Sequence, residues 1–209
     1  MRRSALKAAV DAERQLLALA NTAPESLAVK VRDRSTYMTV KTCATWRPTA
    51  HHDPARRGVA LAMHTLAERI IVLRAEVTAL EREILAAVKA MRPDVLEIAG
   101  VGPIVAAVVL CAWSHPGRVR SDAAFAMLAG TAPIPASSGQ TVRHRLNRQG
   151  DRQLNWAIHV TCCHRMRTDA RTRRYVERRR AEGKTDREIR RCLKRYITRE
   201  LFNALEKGA

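Results

Sequence analysis

Between Val59 and Met91 apolar residues return every three or four positions: Val59, Met63, Leu66, Ile70, Leu73, Val77, Leu80, Ile84, Ala87 and Met91. A period of three and a half residues held over about four heptads predicts one long helix with a narrow apolar seam. Such a seam needs a second helix to cover it. Arg69, Arg74, Glu76, Glu81, Arg82 and Glu83 flank it with charge of both signs. The covering helix lies either elsewhere in this chain or in a second copy, and the pattern leaves both open. Arg47-Pro-Thr-Ala-His-His-Asp-Pro54 breaks the chain before the helix, and Pro93 closes it.

The remaining segments also read as helices. Ser4 to Ala20 carries Leu6, Val10, Leu16 and Leu17 roughly on one face, and Glu25 to Arg34 suits a short helix. Met38 to Trp46 is ambiguous, since its threonines suit a strand while Val40, Cys43 and Trp46 suit a helix. Ser121 to Gly130 has a capping serine and a terminating glycine. From Asp151 to about Arg167, Leu154, Ile158 and Val160 to Cys162 are expected to face inward. Arg171 to Arg180 continues the helical character. Thr185 and Glu188 form a capping box before a last amphipathic helix, with Ile189, Leu193, Tyr196, Ile197 and Leu201 expected inward. Few segments alternate as strands do. The predicted class is mainly α: an N-terminal helical segment over 1–53, a long coiled-coil-like helix over 54–92, and a compact helical domain over 93–209.

Within that domain, Leu96-Glu-Ile-Ala-Gly-Val-Gly-Pro103 joins an apolar helix end to an apolar helix through two glycines. Gly100 and Gly102 permit a tight turn and leave backbone amides uncovered at a helix start, where a phosphate can bind. Pro103 suits the first helical turn. This is a helix-hairpin-helix arrangement that would grip a nucleic-acid backbone, or an ordinary interhelical turn.

Charge points to a polyanion. Lys and Arg number 38 against 20 Asp and Glu, a net charge of +18. From Thr141 to the C-terminus 20 basic residues face 8 acidic ones, so the excess concentrates in the last third. Basic groups on a polyanion release condensed counterions. Aromatic residues are scarce at 4%, which argues against stacking platforms for single strands. Cys43, Cys111, Cys162, Cys163 and Cys192 fit neither a disulfide framework nor a zinc site, and a reducing cytoplasm suits them. His159 and Cys163 share a helical face, but no second ligand pair follows, so no metal site is expected. No apolar run reaches membrane-spanning length.

Pro133-Ile-Pro-Ala-Ser-Ser-Gly-Gln-Thr-Val-Arg-His-Arg-Leu-Asn-Arg-Gln-Gly-Asp-Arg152 sets two serines and a glycine before a run of arginines. Guanidinium groups hold phosphate oxygens in a bidentate fork, and a deprotonated hydroxyl can attack phosphorus. The plainer reading is a polar loop whose serines cap the next helix. Charge and proximity add Arg143, Arg145 and Arg152 as phosphate contacts.

Three segments keep one order: Leu96 to Pro103, then Phe125-Ala-Met-Leu-Ala-Gly-Thr-Ala-Pro-Ile-Pro-Ala-Ser-Ser-Gly139, then Arg145-Leu-Asn-Arg-Gln-Gly-Asp-Arg-Gln-Leu-Asn155. Together they resemble the C-terminal transposase domain of the insertion-sequence one-ten/one-sixteen family, and Glu182 to Tyr196 is similar to its actinobacterial-type members. The resemblance implies site-specific DNA recombination guided by a structured RNA. It implies an N-terminal RuvC-like domain with four acidic Mg²⁺ ligands, then a coiled coil, then a domain with a nucleophilic serine. Ser138, which precedes the glycine, matches that serine, with Ser137 the fallback. Arg148, Gly150 and Asn155 match the basic motif after it.

One departure shapes the expectation. The sequence is expected to begin after the acidic core, because Asp11, Glu13, Glu25 and Asp33 are scattered and lack the strand context that core needs. Mg²⁺ is therefore expected only in that other domain, with no cofactor bound by this fragment. DNA is the expected partner, with a structured guide RNA as a further one. The heptad helix implies a homo-oligomer. Two alternatives stand beside this reading: a non-catalytic nucleic-acid-binding module, and an oligomeric scaffold.

Overall fold

The computed structural model describes residues 1–50, 53–136, 144, 145, 147 and 149–207. Ser137, Ser138, Arg143 and Arg148 lie outside them. The described residues are mainly α, with nine α-helices and one two-residue strand pair. They divide into two compact units, Met1–Glu83 and Ile84–Ala209.

In the first unit, helix α1 (Arg2–Thr22) buries Ala5, Ala9, Ala12 and Leu16, spaced four, three and four apart. That face lies along α4 (Pro54–Met91) in the opposite direction: Arg2 Nε donates to Glu81 Oε1 at 2.7 Å, and Arg74 Nε to Glu13 Oε1 at 2.9 Å. The covering helix for this part of the heptad stretch is thus α1 of the same chain. The buried seam is Ala60, Met63, Ala67, Ile70 and Val77, while Val59, Leu66 and Leu73 are only half-buried. Ala12 and Leu16 of α1 share one buried cluster with Met63, Ala67 and Ile70 of α4, so alanines occupy the buried line and the leucines of α4 its flank.

Short α2 (Glu25–Ala28) follows α1, and α3 (Thr36–Ala44) resolves the ambiguous stretch as a helix. Ser35 Oγ accepts from Met38 N at its start, and Thr39, Val40 and Cys43 turn inward. Cap and buried face outweigh the strand preference of threonine. Cys43 joins Leu16, Val31, Met63 and Ile70 in the core of this unit.

The second unit contains a 3₁₀ turn at Pro93–Glu97, then α5 (Pro103–Trp113) and α6 (Asp122–Leu128). Strands β1 (Ile134–Pro135) and β2 (His144–Arg145) pair antiparallel, Ile134 opposite Arg145. Helices α7 (Arg152–Thr168), α8 (Ala170–Ala181) and α9 (Asp186–Lys207) complete it. Each start has its cap: Ser121 Oγ for α6, Asp151 for α7, Asp169 for α8, and the Thr185–Glu188 capping box for α9. Helix α7 packs on α5, α8 and α9, and α9 also packs on α6. Val109, Phe125, Leu154, Ile158, Ile197 and Leu201 fill the centre. Burying each such side chain contributes about 1.5–3 kcal/mol.

Two inward expectations are corrected. Val160 is exposed on α7, where Thr161 and Cys162 take the core positions. Tyr196 is half-exposed on α9, because Leu193, Ile197 and Leu201 already fill the stripe facing α6 and α7.

Candidate nucleic-acid interface

The serines lie in sequence between Gly130 and Gly150, and those two glycines touch. Gly130 ends α6 at φ +65°, a left-handed conformation that favours glycine. A Cβ on Gly150 would fall 2.6 Å from Gly130 Cα and 2.8 Å from Leu128 O. Hydrogen bonds close the same neck. Asp151 N donates to Leu128 O at 2.6 Å, and Asn155 Nδ2 to Ala129 O at 2.7 Å. Buried Asn147 donates from Nδ2 to Met127 O and accepts from Gln149 N. Lys194 Nζ on α9 donates to Asn155 Oδ1 at 2.7 Å. Gly150 and Asn155 therefore hold the base of the serine segment together, and Asn155 has both ends of its amide engaged.

Beside the neck opens a cavity of about 670 Å³. One wall is Gly130 to Pro133 with Arg145, and the other comes from the end of α8 and the first turns of α9. Arg179, Lys184, Arg191, Lys194 and Arg195 bring five more positive charges to it, against one carboxylate, Glu188. That carboxylate is engaged by Thr185 N and Oγ1, and these bonds hold it below its ordinary pKa. Burial pushes the Lys194 ammonium below its ordinary value. Arg195 Nη2 donates to Asp122 Oδ2 at 2.8 Å, which holds the Asp122 carboxyl down.

The glycine turn stands elsewhere in the unit. Gly100 has φ +78°, and a Cβ there would meet His164 Cδ2 and Thr161 O at 3.3 Å on α7. Arg165 Nε donates to Ala99 O at 2.6 Å and its outer nitrogens to Glu200, so α7 fixes the turn to α9. Gly102 caps α5 with no atom within 4 Å of the Cβ position, and Pro103 follows at the first turn. Arg152 is exposed at the start of α7, next to the neck.

Of the expected site residues, the structure gathers Arg145, Gly150, Arg152 and Asn155 around the neck and sets Gly100 and Gly102 at a separate turn. The cationic wall from α8 and α9 was legible only as charge. Its signal was the i, i+4 spacing of Arg191 and Arg195 and the Glu182-Gly-Lys184 turn, whose Gly183 sits at φ +77° and folds α8 back beside α9.

Among the described residues no group of three or more His, Cys, Asp and Glu is arranged to hold a metal ion. Asp11, Glu13 and Glu25 instead face Arg14, Arg74 and Arg32. These acids do not fit the Mg²⁺ centre that the resemblance implies. All five cysteines are free. No described helix is long and apolar enough to cross a membrane.

Residues 93–177 match the Transposase IS116/IS110/IS902 family. The chain is also similar to an insertion element IS110 protein of 43.6 kDa from Streptomyces coelicolor, 30% identical over 158 residues. That alignment covers 74% of this chain and 39% of the relative, so the chain spans well under half the length of the curated relative it matches.

Proposed function

We propose that this chain is the DNA-binding C-terminal portion of a transposase of the IS116/IS110/IS902 type, with Ser138 as the nucleophile of the complete enzyme. The family match over 93–177 carries the reading, because it contains the serine motif and both glycines of the neck. The cationic cavity beside that neck supports it, since recombination must hold a phosphodiester while its bond is exchanged. In the reaction Ser138 Oγ gives up its proton and bonds to phosphorus. The bond from phosphorus to one deoxyribose oxygen breaks, and that oxygen takes up a proton. The DNA end stays on the protein as a phosphoserine ester, ready to be rejoined. Ser137 is the alternative nucleophile. Arg143, Arg145, Arg148 and Arg152 contact flanking phosphates, and the turn at Gly100 and Gly102 grips a backbone as a helix-hairpin-helix does. A structured guide RNA is the second partner, and a cytoplasmic location follows from acting on DNA with five free thiols.

The test is covalent adduct formation on a labelled duplex, with the chain supplied alone and together with a RuvC-like acidic domain, Mg²⁺ and cognate RNA. Ser138→Ala should abolish the adduct and leave duplex binding unchanged. An adduct that persists at wild-type level in a Ser137→Ala, Ser138→Ala double variant would overturn the assignment.

A second reading, an assembly scaffold, is favoured by Leu61, Ile71 and Val72, which α4 exposes. It expects a homo-oligomer that survives high salt and dissociates in Val72→Glu; sedimentation velocity distinguishes it from a monomer.

A further inference from the structure

Within the proposed DNA-binding role, and resting on it, we infer that the cavity between the neck and the α8–α9 corner is a built binding site for the phosphodiester backbone of DNA, with Lys184 and Arg191 as its outer clamps and Arg179 and Arg195 as its inner ones. Six cationic side chains line it against one carboxylate, and Glu188 is already engaged in the capping box of α9. Such a surplus around a concave wall repels cations and attracts an acceptor-rich anion.

The inner pair carries the sharper signal. Arg179 and Arg195 are each held on one side by a carboxylate, Glu182 and Asp122 respectively. Each also has one buried N–H without an acceptor among the described residues, Nε of Arg179 and Nη1 of Arg195. A guanidinium carries five N–H donors and one carboxylate does not use them all, so an anion with several oxygens finds donors on both. Their carboxylate partners orient both guanidiniums in advance, so little side-chain freedom remains to be lost on binding. Lys184 and Arg191 form no ion pair among the described residues, and both are exposed. They are free to close on a strand from outside. Lys194 completes the wall while its ammonium holds Asn155, which ties the site to the base of the serine segment.

A backbone ligand follows from this chemistry. The described lining offers guanidinium and ammonium donors and no carboxamide, and carboxylates fix the two inner guanidiniums in place. The site should therefore bind without sequence preference and lose affinity steeply with salt.

The experiment measures equilibrium binding of the intact chain to a labelled DNA duplex across a salt series, by fluorescence anisotropy, with circular dichroism confirming the fold. The pocket variant is Lys184→Gln with Arg191→Gln. The control is Arg173→Gln with Arg174→Gln, which removes the same charge from exposed positions on α8. The pocket variant should bind on the order of ten-fold or more weakly, and its log–log salt slope should be shallower by about two, one per lost phosphate contact. The control should stay within about two-fold. Equal losses in both variants would mean diffuse electrostatics and overturn the pocket, while leaving DNA binding itself intact. A loss confined to an RNA duplex of the same sequence would overturn DNA as the ligand. No binding by the wild-type chain would overturn the DNA-binding reading together with the pocket.

Discussion

Gly150 lies backbone to backbone against Gly130: a Cβ added to Gly150 would sit 2.6 Å from Gly130 Cα, with Leu128 O only 2.8 Å away. Real side chains do not tolerate such distances from main-chain atoms, so the neck must open to admit even a methyl group. Gly150→Ala should cost about 1–3 kcal/mol, the range for forcing extra atoms into a packed site. Gly58 supplies the opposite sign. It lies inside α4 with nothing within 4 Å of its Cβ position, so Gly58→Ala should stabilise by about 0.5–1 kcal/mol by favouring the helix. Urea titrations of both variants check the pair; a neutral Gly150→Ala would mean that the neck is not closed in solution.

Arg165 joins three parts of the second unit through one guanidinium, with Nε on Ala99 O and its outer nitrogens on Glu200. Arg165→Ala leaves the Ala99 carbonyl without this donor and removes packing under Gly100. Glu200 is half-exposed and can return to water, so the loss should fall near 1.5–3 kcal/mol rather than at the upper range for a fully buried pair. Glu200→Gln retains an acceptor and should cost under about 1 kcal/mol. Denaturant midpoints of the two variants measure the difference, and equal losses would contradict the role given to Ala99 O.

How much of this was legible beforehand depended on the range over which each signal acts. Helix α4 announced itself by period, and the Ser121 cap, the Thr185–Glu188 capping box and the stop at Gly130 by local chemistry. Which residues of α4 are buried did not follow, because the leucines that dominate the periodic pattern are displaced by Ala60 and Ala67. That choice is made by the alanine face of α1, more than forty residues away. The threonine-rich α3 stayed undecided because propensity is weak where a cap and a buried face are not yet known to coincide. At the site, the serine motif could be read as residue types, whereas the cavity could not. Its walls join Gly130–Pro133 to Arg179–Tyr196, and only the packing of α9 on α6 brings them together.

Thiol reactivity offers a direct check on the two cores. Burial pushes Cys43 and Cys162 up to about 11, so at neutral pH neither holds appreciable thiolate, and neither is reached by solvent. Cys111 is exposed. A maleimide added to the native protein should modify Cys111 first and leave Cys43 and Cys162 untouched until denaturant is present, as peptide mass mapping would show. Early labelling of Cys43 would mean that the α1–α3–α4 core opens readily.

Acid should loosen the second unit at the corner where Arg92 meets α9. Its guanidinium donates to both Asp94 oxygens, at 2.9 and 2.7 Å, and also to the carbonyls of Leu205 and Ala204, each at 2.8 Å. The Arg92 hydrogen bond is the largest cause holding the Asp94 carboxyl below its ordinary value of 3.8. A carboxyl with a lower pKa folded than unfolded adds stability above the ordinary value and loses it as pH falls through the folded one. Half-exposed Asp94 keeps this contribution small, about 0.2–1 kcal/mol. Asp94→Asn should therefore be slightly less stable than wild type near neutrality, and the gap should close as pH falls below about 3.8. The other depressed carboxyls, among them Asp122 and Asp186, are common to both proteins and cancel in the difference. Urea unfolding of both proteins over a pH series reads it out; a gap that stays constant down to strong acid would show that Asp94 does not titrate with the fold.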